Sequence, residues 1–179
     1  PIHRFEATSS DALYKQVRRF DWSRYLDNRM TFAIDSTVHS PHFNNSQYVS
    51  QKVKDAIADR FRDTTNLRPS VNREQPDLLI NVHISEKWVT ISLDSSGGSL
   101  HRRGYRTGSG YFEAPLNEVL AAGMVMISGW NGLTPFLDPM CGSGTLAIEA
   151  ALIAANIPPG IFKKQYGFEN WKDFDRELM

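Results

Sequence analysis

Residues 138–160 read "DPMCGSGTLAIEAALIAANIPPG" and follow a short apolar run, "TPFLD". The stretch passes through two glycines in three residues and then becomes alanine-rich and apolar until Pro158 and Pro159. The run "PFLD" predicts a short buried strand, and "TLAIEAALIAANI" predicts a helix that the prolines end. A strand, a glycine loop and a helix in this order are typical of the first turn of a doubly wound α/β sheet.

This loop has the chemistry of a ligand site. In such a sheet the carboxyl end of the strand opens onto the N-terminus of the helix, where backbone N–H groups point outward. Gly142 and Gly144 let the backbone approach a ligand without a Cβ in the way. Ser143 and Thr145 add hydroxyl donors, and Asp138 can accept from an ammonium or an amide. A positive helix start beside a carboxylate suits a zwitterion such as an amino-acid head group.

Two common nucleotide loops do not fit this stretch. A triphosphate loop requires G-x-x-x-x-G-K-[ST], but no lysine follows Gly144. The dinucleotide fingerprint G-x-G-x-x-G requires a third glycine, but Ala147 and Ile148 stand where it would fall. The string D-P-x-C-G-S-G-T is therefore the specific signal here, rather than its glycines alone.

The N-terminal half predicts a small α/β arrangement. Leu13, Val17 and Phe20 share one face of a helix whose predicted N-cap is Ser10, and Ser46 starts a second helix. The run "MTFAIDSTV" alternates as a half-buried strand, and "DLLINVHIS" and "WVTISLD" read as two strands joined at Glu86-Lys87. The predicted order over residues 1–94 is helix, strand, helix, strand, strand.

Composition changes at "SSGGSLHRRGYRTGSG", residues 95–110, where five glycines and four serines predict a linker. After it, "APLNEVLAAGMVMIS" predicts a helix with Pro115 in its first turn. The residues that we expect to face inward from this helix are Leu116, Val119, Leu120, Met124 and Ile127.

Bulk composition excludes several classes of protein. The 179 residues carry 20 basic and 20 acidic side chains, so no global positive field attracts nucleic acid, and any contact with RNA must come from local clusters. Cys141 is the one cysteine, which excludes an internal disulfide and favours a reducing compartment such as the cytoplasm. No run of about 18 apolar residues is present, so we expect no contact with membranes.

Three blocks in order resemble one family. "DPMCGSGTLAIEAALIA" resembles motif I of class I S-adenosylmethionine-dependent methyltransferases. "VKDAIADRFRDTTNLRPSVN" with "PDLLINVHI" resembles the C-terminal part of a THUMP domain, and "LDSSGGSLHRRGYRTGSGYFEAPLNEVLAA" resembles the segment that joins the two. The resemblance, over about residues 30–175, is to RNA methylases with a THUMP domain, including the bacterial 23S rRNA guanine-N2 methyltransferases.

The resemblance implies a fold class, a set of domains and a cofactor. It implies an α/β fold with the C-terminal part of a THUMP-like RNA-binding domain (1–94), a linker (95–110) and the first units of a Rossmann-like methyltransferase domain (111–179). The cofactor is S-adenosylmethionine. The positions that correspond to its site are Asp138, Pro139, Cys141, Gly142, Ser143, Gly144 and Thr145, with Ala114, Pro115 and Leu116 near its methionine end.

The family's catalytic motif, Asn or Asp followed by Pro-Pro and an aromatic residue, is not in this sequence, and "IPPG" at 157–160 is the nearest string. We therefore assign no catalytic residue, expect the chain to be a piece of a longer protein, and expect it to be inactive alone. The implied reaction is methyl transfer to a base nitrogen in RNA, with guanine N2 of ribosomal RNA as the expected target. The alternatives are an adenine-N6 DNA methyltransferase and a non-catalytic RNA-binding module. The oligomeric state is left open.

Two groups of cations are candidates for RNA contact. Arg102, Arg103 and Arg106 lie beside Tyr105 with no acidic neighbour, and arginine with an aromatic ring suits phosphates and unstacked bases. A rival interpretation is that one of these arginines pairs with a carboxylate and holds two domains together. Lys52 and Lys54 are weaker candidates, because the aspartates around them favour ion pairs on a solvated helix face.

Other reactive side chains carry less weight. Cys141 could be a nucleophile, but no histidine is placed nearby to activate it as a base, so packing in the loop is the preferred interpretation. His39 and His42 flank Pro41 without a cysteine, and we expect no metal site.

Overall fold

A computed structural model of the chain describes residues 1–105 and 115–178. These residues form two compact units, one made of Pro1–Gly98 with Gln165–Met179 and the other of Ser99–Lys164. The sequence-based boundaries 1–94, 95–110 and 111–179 remain a prediction. Among the described residues, no helix is both long enough and apolar enough to cross a membrane.

The first unit is built on a mixed sheet. Its strands are β1 (His3–Glu6), β2 (Thr31–His39), β3 (Ser70–Val71), β4 (Leu78–Ser85) and β5 (Trp88–Leu93). They lie in the order β1-β5-β4-β2-β3. β2 runs parallel to β3 and β4, whereas β5 runs antiparallel to β4 and β1. The two residues between β4 and β5 form a tight hairpin turn in which Glu86 has a φ of 56°.

Two helices pack with this sheet. Helix α1 (Ser10–Arg19) buries Leu13 and Val17, and helix α2 (Ser46–Thr65) buries the stripe Val49, Val53, Ile57 and Phe61. These side chains join alternate residues of β4 in one core, because successive residues of a strand point to opposite faces of the sheet. Burial of this apolar surface is the main stabilising contribution to the unit.

The five predicted elements all occur in this unit and in the predicted order, as α1, β2, α2, β4 and β5. Helix α1 is capped by Ser9 rather than by Ser10, since the Ser9 hydroxyl accepts from the backbone N–H of Ala12. The start of α2 at Ser46 is confirmed, with Asn45 as its cap. Strands β1 and β3 were not predicted. They have four and two residues, too few for a period-2 pattern to stand out.

The second unit contains helices α3 (Glu118–Ile127) and α4 (Thr145–Ala154), which pack against each other. The prediction for α3 was wrong in two ways. Asn117 is its N-cap, so Pro115 lies outside the helix, and Ala121 and Val125 are buried instead of the predicted face. All five residues expected to face inward are exposed, and Ile127 is 88% exposed. The helix is apolar on all sides, so periodicity could not identify its packed face.

Two further predictions around the glycine loop were wrong. Residues 135–138 form no strand in the structure. A strand requires a hydrogen-bonded neighbour, and the described part of the unit Ser99–Lys164 has no strand to pair with it. Helix α4 ends at Ala154, before Pro158, and Asn156 follows with a φ of 53°.

Residues 165–178 pack in the first unit. The backbone N–H of Phe168 donates to the carbonyl of Ser95, 3.1 Å away. Trp171 packs against the hydrophobic core, and the Lys172 ammonium donates to the carbonyl of Ser23. Gly167 approaches the backbone at Asp94 so closely that a Cβ there would lie 2.5 Å from the Asp94 carbonyl oxygen.

Candidate cofactor loop and linker cluster

The loop that leads into α4 is a tight turn that depends on its two glycines. Gly142 has a φ of 52° and Gly144 a φ of 75°, both in the left-handed region that L residues rarely adopt. The backbone N–H of Gly144 donates to the carbonyl of Cys141 over 2.7 Å, which closes the turn. Gly144 is also the N-cap of α4, and no side chain accepts from the first turn of the helix at this position.

The outer side of the loop is open. Among the described residues, a Cβ built on Gly142 would have no heavy atom within 4 Å, and one built on Gly144 would meet only the Ile148 Cδ1 at 3.9 Å. Cys141 is exposed, and Met140 is 90% exposed. A ligand could therefore reach the backbone of this loop and the N-terminus of α4 together.

The polar side chains of the loop support its shape. The Ser143 and Thr145 hydroxyl oxygens are 3.0 Å apart and hydrogen-bonded, and Thr145 is buried. One carboxylate oxygen of Asp138 accepts from the backbone N–H of Met140 at 3.2 Å. Asp138, Ser143 and Thr145 thus help to order the turn, and Pro139 lies exposed between Asp138 and Met140.

The second predicted segment of the cofactor site is only partly visible. Pro115 and Leu116 are exposed and precede the N-cap of α3. Ala114 lies outside the described residues.

The basic linker does not behave as one surface. Arg103 forms an ion pair with Glu149 of α4, in which the Arg103 Nη2 and Glu149 Oε2 atoms are 3.2 Å apart. The side chains of Arg103 and Glu149 are only 10% and 2% exposed. Arg102 is exposed, and Arg106 lies outside the described residues. The structure therefore gives Arg103 an internal carboxylate partner, so we leave it out of the candidate RNA surface.

The other candidate cations lie on α2. The Lys54 ammonium is 3.0 Å from a carboxylate oxygen of Asp55, and the Lys52 ammonium lies 5.5 Å from the centre of the Tyr14 ring. Lys54 also lines a cleft of about 490 Å³ beside β2. Ion pairs between basic and acidic side chains recur on this face, as the sequence predicts, at Arg62–Asp59 and Arg18–Asp63.

The sequence predicted neither a role for Glu149 nor its contact with Tyr105, whose ring was considered only for stacking on unpaired RNA bases. The Tyr105 hydroxyl donates to Glu149 Oε1 over 2.9 Å, and so does Arg103 Nε over 3.2 Å. The available signal was the single carboxylate in the otherwise apolar helix "TLAIEAALIA", because a charged group on a buried helix requires a partner.

The structure assigns no metal site within its described residues. His39 and His83 are neighbours on adjacent strands, with ring centres 6.2 Å apart.

Two family models match consecutive parts of this chain. The THUMP domain matches residues 7–94, and the "RMKL-like, methyltransferase domain" matches residues 103–177. Together they cover most of the chain, which therefore carries a THUMP domain followed by an RMKL-like methyltransferase domain. The resemblance drawn from the sequence and the α/β fold class are both confirmed.

Individual relatives agree with this assignment. The chain is 42% identical to a Synechocystis protein provisionally named an RNA methyltransferase, covering 99% of this chain and 46% of the relative. It is 46% identical to "Ribosomal RNA large subunit methyltransferase K/L" of Methylococcus capsulatus, over 99% of this chain and 24% of the relative. The chain thus spans about half of the length of the first relative and about a quarter of the length of the second.

A solved structure resembles the chain over its whole length. SMU.472, provisionally named a methyltransferase, was solved in complex with SAH, and its structure matches with a TM-score of 0.81 and 31% identity. The match covers 99% of this chain and 46% of that one.

Proposed function

We propose that this chain is the RNA-binding and cofactor-loop part of a methyltransferase that transfers a methyl group from S-adenosylmethionine to a base nitrogen in RNA. The observation that carries the proposal is the open glycine loop at the N-terminus of α4, on the same chain as a THUMP domain. The loop supplies cofactor contacts, and the THUMP domain supplies a surface for RNA.

The cofactor site that we propose uses the backbone of Gly142, Ser143 and Gly144 with the carboxylate of Asp138. Both glycines have φ values in the left-handed region, and no atom of the described residues lies within 4 Å of a Cβ built on Gly142. The first turn of α4 adds backbone donors and a partial positive charge, which suit the carboxylate of a methionine head group. Asp138 suits its ammonium. Pro139, Cys141, Thr145 and the segment Ala114–Leu116 complete the proposed lining.

The substrate that we propose is ribosomal RNA, with guanine N2 as the methyl acceptor. The relative from Methylococcus is named a large-subunit ribosomal RNA methyltransferase. In this chain, exposed Arg102 is the strongest candidate for a phosphate contact, followed by Lys52 and Lys54. Each phosphate contact should make binding depend on salt, since neutralising a phosphate releases its condensed counterions. An RNA substrate and the single cysteine favour a cytoplasmic protein.

The test is methyl transfer by the full-length protein that contains this chain. The purified protein is incubated with radiolabelled S-adenosylmethionine and either ribosomal RNA or double-stranded DNA, and the labelled nucleoside is identified after digestion. We expect label in RNA as N2-methylguanosine. Label in DNA as N6-methyladenine would support the alternative DNA methyltransferase. RNA binding without label in either polymer would support a non-catalytic module.

A further inference from the structure

The Arg103–Glu149 pair has the geometry of a specific, fixed contact. Arg103 Nε donates to Glu149 Oε1 and Arg103 Nη2 lies beside Glu149 Oε2, each over 3.2 Å. The hydrogen bond and the ion-pair contact come from two nitrogens of one planar guanidinium, so together they set the orientation of the carboxylate as well as its distance. The Tyr105 hydroxyl adds a third donor to Oε1. We call Arg103, Tyr105 and Glu149 the linker cluster.

The linker cluster contacts α4 one helical turn after the glycine loop. Glu149 is four residues after Thr145, the first residue of α4, so it lies one helical turn, about 6 Å, below the start of the helix. Thr145 and Glu149 are both buried, on the same face of α4. The carbonyl of Gly144 accepts from the N–H of Ile148, which joins the loop to the same turn of the helix.

A second contact attaches the linker to the same unit. Gly104, between the two donors of the cluster, has a φ of 89°, and a Cβ there would lie 3.1 Å from the Cβ of Phe162. The backbone between Arg103 and Tyr105 is therefore packed closely against the segment that follows α4. The linker therefore contacts α4 through the charge pair and the segment after α4 through a close backbone approach.

We propose that Arg103 is a positioning residue for the cofactor loop: through Glu149 it sets the orientation of α4 and thereby of the Gly142–Gly144 backbone. This inference rests on the proposed binding of S-adenosylmethionine at that loop. It assigns neighbouring arginines different roles, since exposed Arg102 is available to RNA and buried Arg103 acts on the cofactor site.

The test uses the full-length protein and three variants at Arg103 and Glu149. Arg103→Lys keeps the charge but cannot reach both carboxylate oxygens from one planar group. Arg103→Met leaves the buried Glu149 carboxylate without its cation, and Arg103→Met with Glu149→Met replaces the pair by apolar side chains, a change that often restores stability. Lys164→Met, which removes an exposed cation from the same unit, is the control. Calorimetry gives the Kd for S-adenosylmethionine at 20 °C, and circular dichroism gives the melting temperature.

We expect Arg103→Lys to weaken S-adenosylmethionine binding about threefold and Arg103→Met about tenfold, with Lys164→Met unchanged. In the double variant the melting temperature should recover while the Kd stays weak, because the fold is restored without the oriented bonds. Recovery of both quantities in the double variant would make the pair merely structural and overturn the proposal. An unchanged Kd in Arg103→Lys and Arg103→Met would overturn it as well.

Two further readouts separate this proposal from an RNA-binding role of Arg103 and from a failure of the proposed function. Arg102→Met should flatten the dependence of log K on log salt for a ribosomal RNA fragment by about 0.7 to 0.9, and Arg103→Met should leave it unchanged. A matching loss of slope in Arg103→Met, with cofactor affinity intact, would identify Arg103 as an RNA contact and overturn the inference. If the wild-type protein binds RNA but no S-adenosylmethionine, the proposed function fails at the cofactor and the inference fails with it. If the wild-type protein binds S-adenosylmethionine and Arg103→Met binds it with the same affinity, the inference about Arg103 is contradicted. The proposed function is not contradicted by that result.

Discussion

Gly142 and Gly144 show how single residues determine what the loop can do. Both occupy the left-handed region, which strains most side chains whatever space is available. No atom of the described residues lies within 4 Å of a Cβ built on Gly142, so a side chain there would occupy the space proposed for the cofactor. The conformational and the ligand-binding effects of a substitution can therefore be separated at this position.

We predict that Gly142→Val and Gly142→Asn both abolish or strongly weaken S-adenosylmethionine binding in the full-length protein. Valine is strained at a φ of 52°, whereas asparagine tolerates the left-handed region, so a shared loss of affinity indicates that the ligand occupies the space above Gly142. Calorimetry on folded protein measures the affinity. An unchanged affinity in both variants would remove this loop from the cofactor site, and a loss in Gly142→Val alone would indicate a conformational role.

We expect His3 to make the stability of the first unit depend on pH. Burial lowers the pKa of its imidazole from 6.5, and its ring stacks on Phe20 at 4.7 Å. A lowered pKa means that the unfolded chain binds the proton more readily, so this group reduces the free energy of unfolding as pH falls through about 6.5. We predict that His3→Phe, which keeps a stacked ring, loses less melting temperature between pH 7.5 and pH 5.5 than the wild type. Equal losses would contradict the prediction.

At the scale of elements, α4 connects the loop to the linker. Its N-terminus carries the glycine turn, and its middle carries Glu149, the buried carboxylate that takes up Arg103. Buried ion pairs contribute little net stability compared with apolar packing, but removing one partner is costly. The same helix therefore carries the proposed cofactor loop at its N-terminus and, in its middle, a buried carboxylate that needs a cation from the linker.

The segment Gly167–Asn170 requires glycine at its first position, because a side chain there has no space. An alanine Cβ at residue 167 would lie 2.5 Å from the Asp94 carbonyl oxygen and 2.8 Å from the Gly97 nitrogen, and both are backbone atoms that cannot easily move. We predict that Gly167→Ala costs about 1 to 3 kcal/mol of stability, which lowers the melting temperature by roughly 2 to 12 °C. Gly123→Ala in α3 is the control, because a Cβ there meets nothing within 4 Å. Thermal melts that are equal for the two variants would show that the segment does not pack as described.

At the scale of the whole molecule, the boundaries of the two matched family domains differ from the boundaries of the two compact units. The methyltransferase model extends to residue 177, while residues 165–178 pack with the unit that contains the THUMP domain. The chain therefore passes between the units near residue 98 and again near residue 164.

We predict that the 179-residue chain alone transfers no methyl group to RNA. No Asn- or Asp-Pro-Pro-aromatic string occurs in its sequence, and such a motif is what the family uses to accept from the target amine. The measurement is incorporation of radiolabelled methyl into ribosomal RNA, with the full-length protein as the positive control. Incorporation by the 179-residue chain above a no-protein blank would show that another group performs this role.

The sequence by itself determined the elements whose information is local. Alternation identified β2, β4 and β5, and the helical stripe identified α2, because each pattern is complete within one element. The glycine loop was found in the same way, from residues adjacent in the chain. Only the tertiary structure decided which face of α3 is buried, since the helix is apolar all round. It also decided the partner of Arg103: Glu149 is 46 residues away, and a contact between distant residues is set by packing.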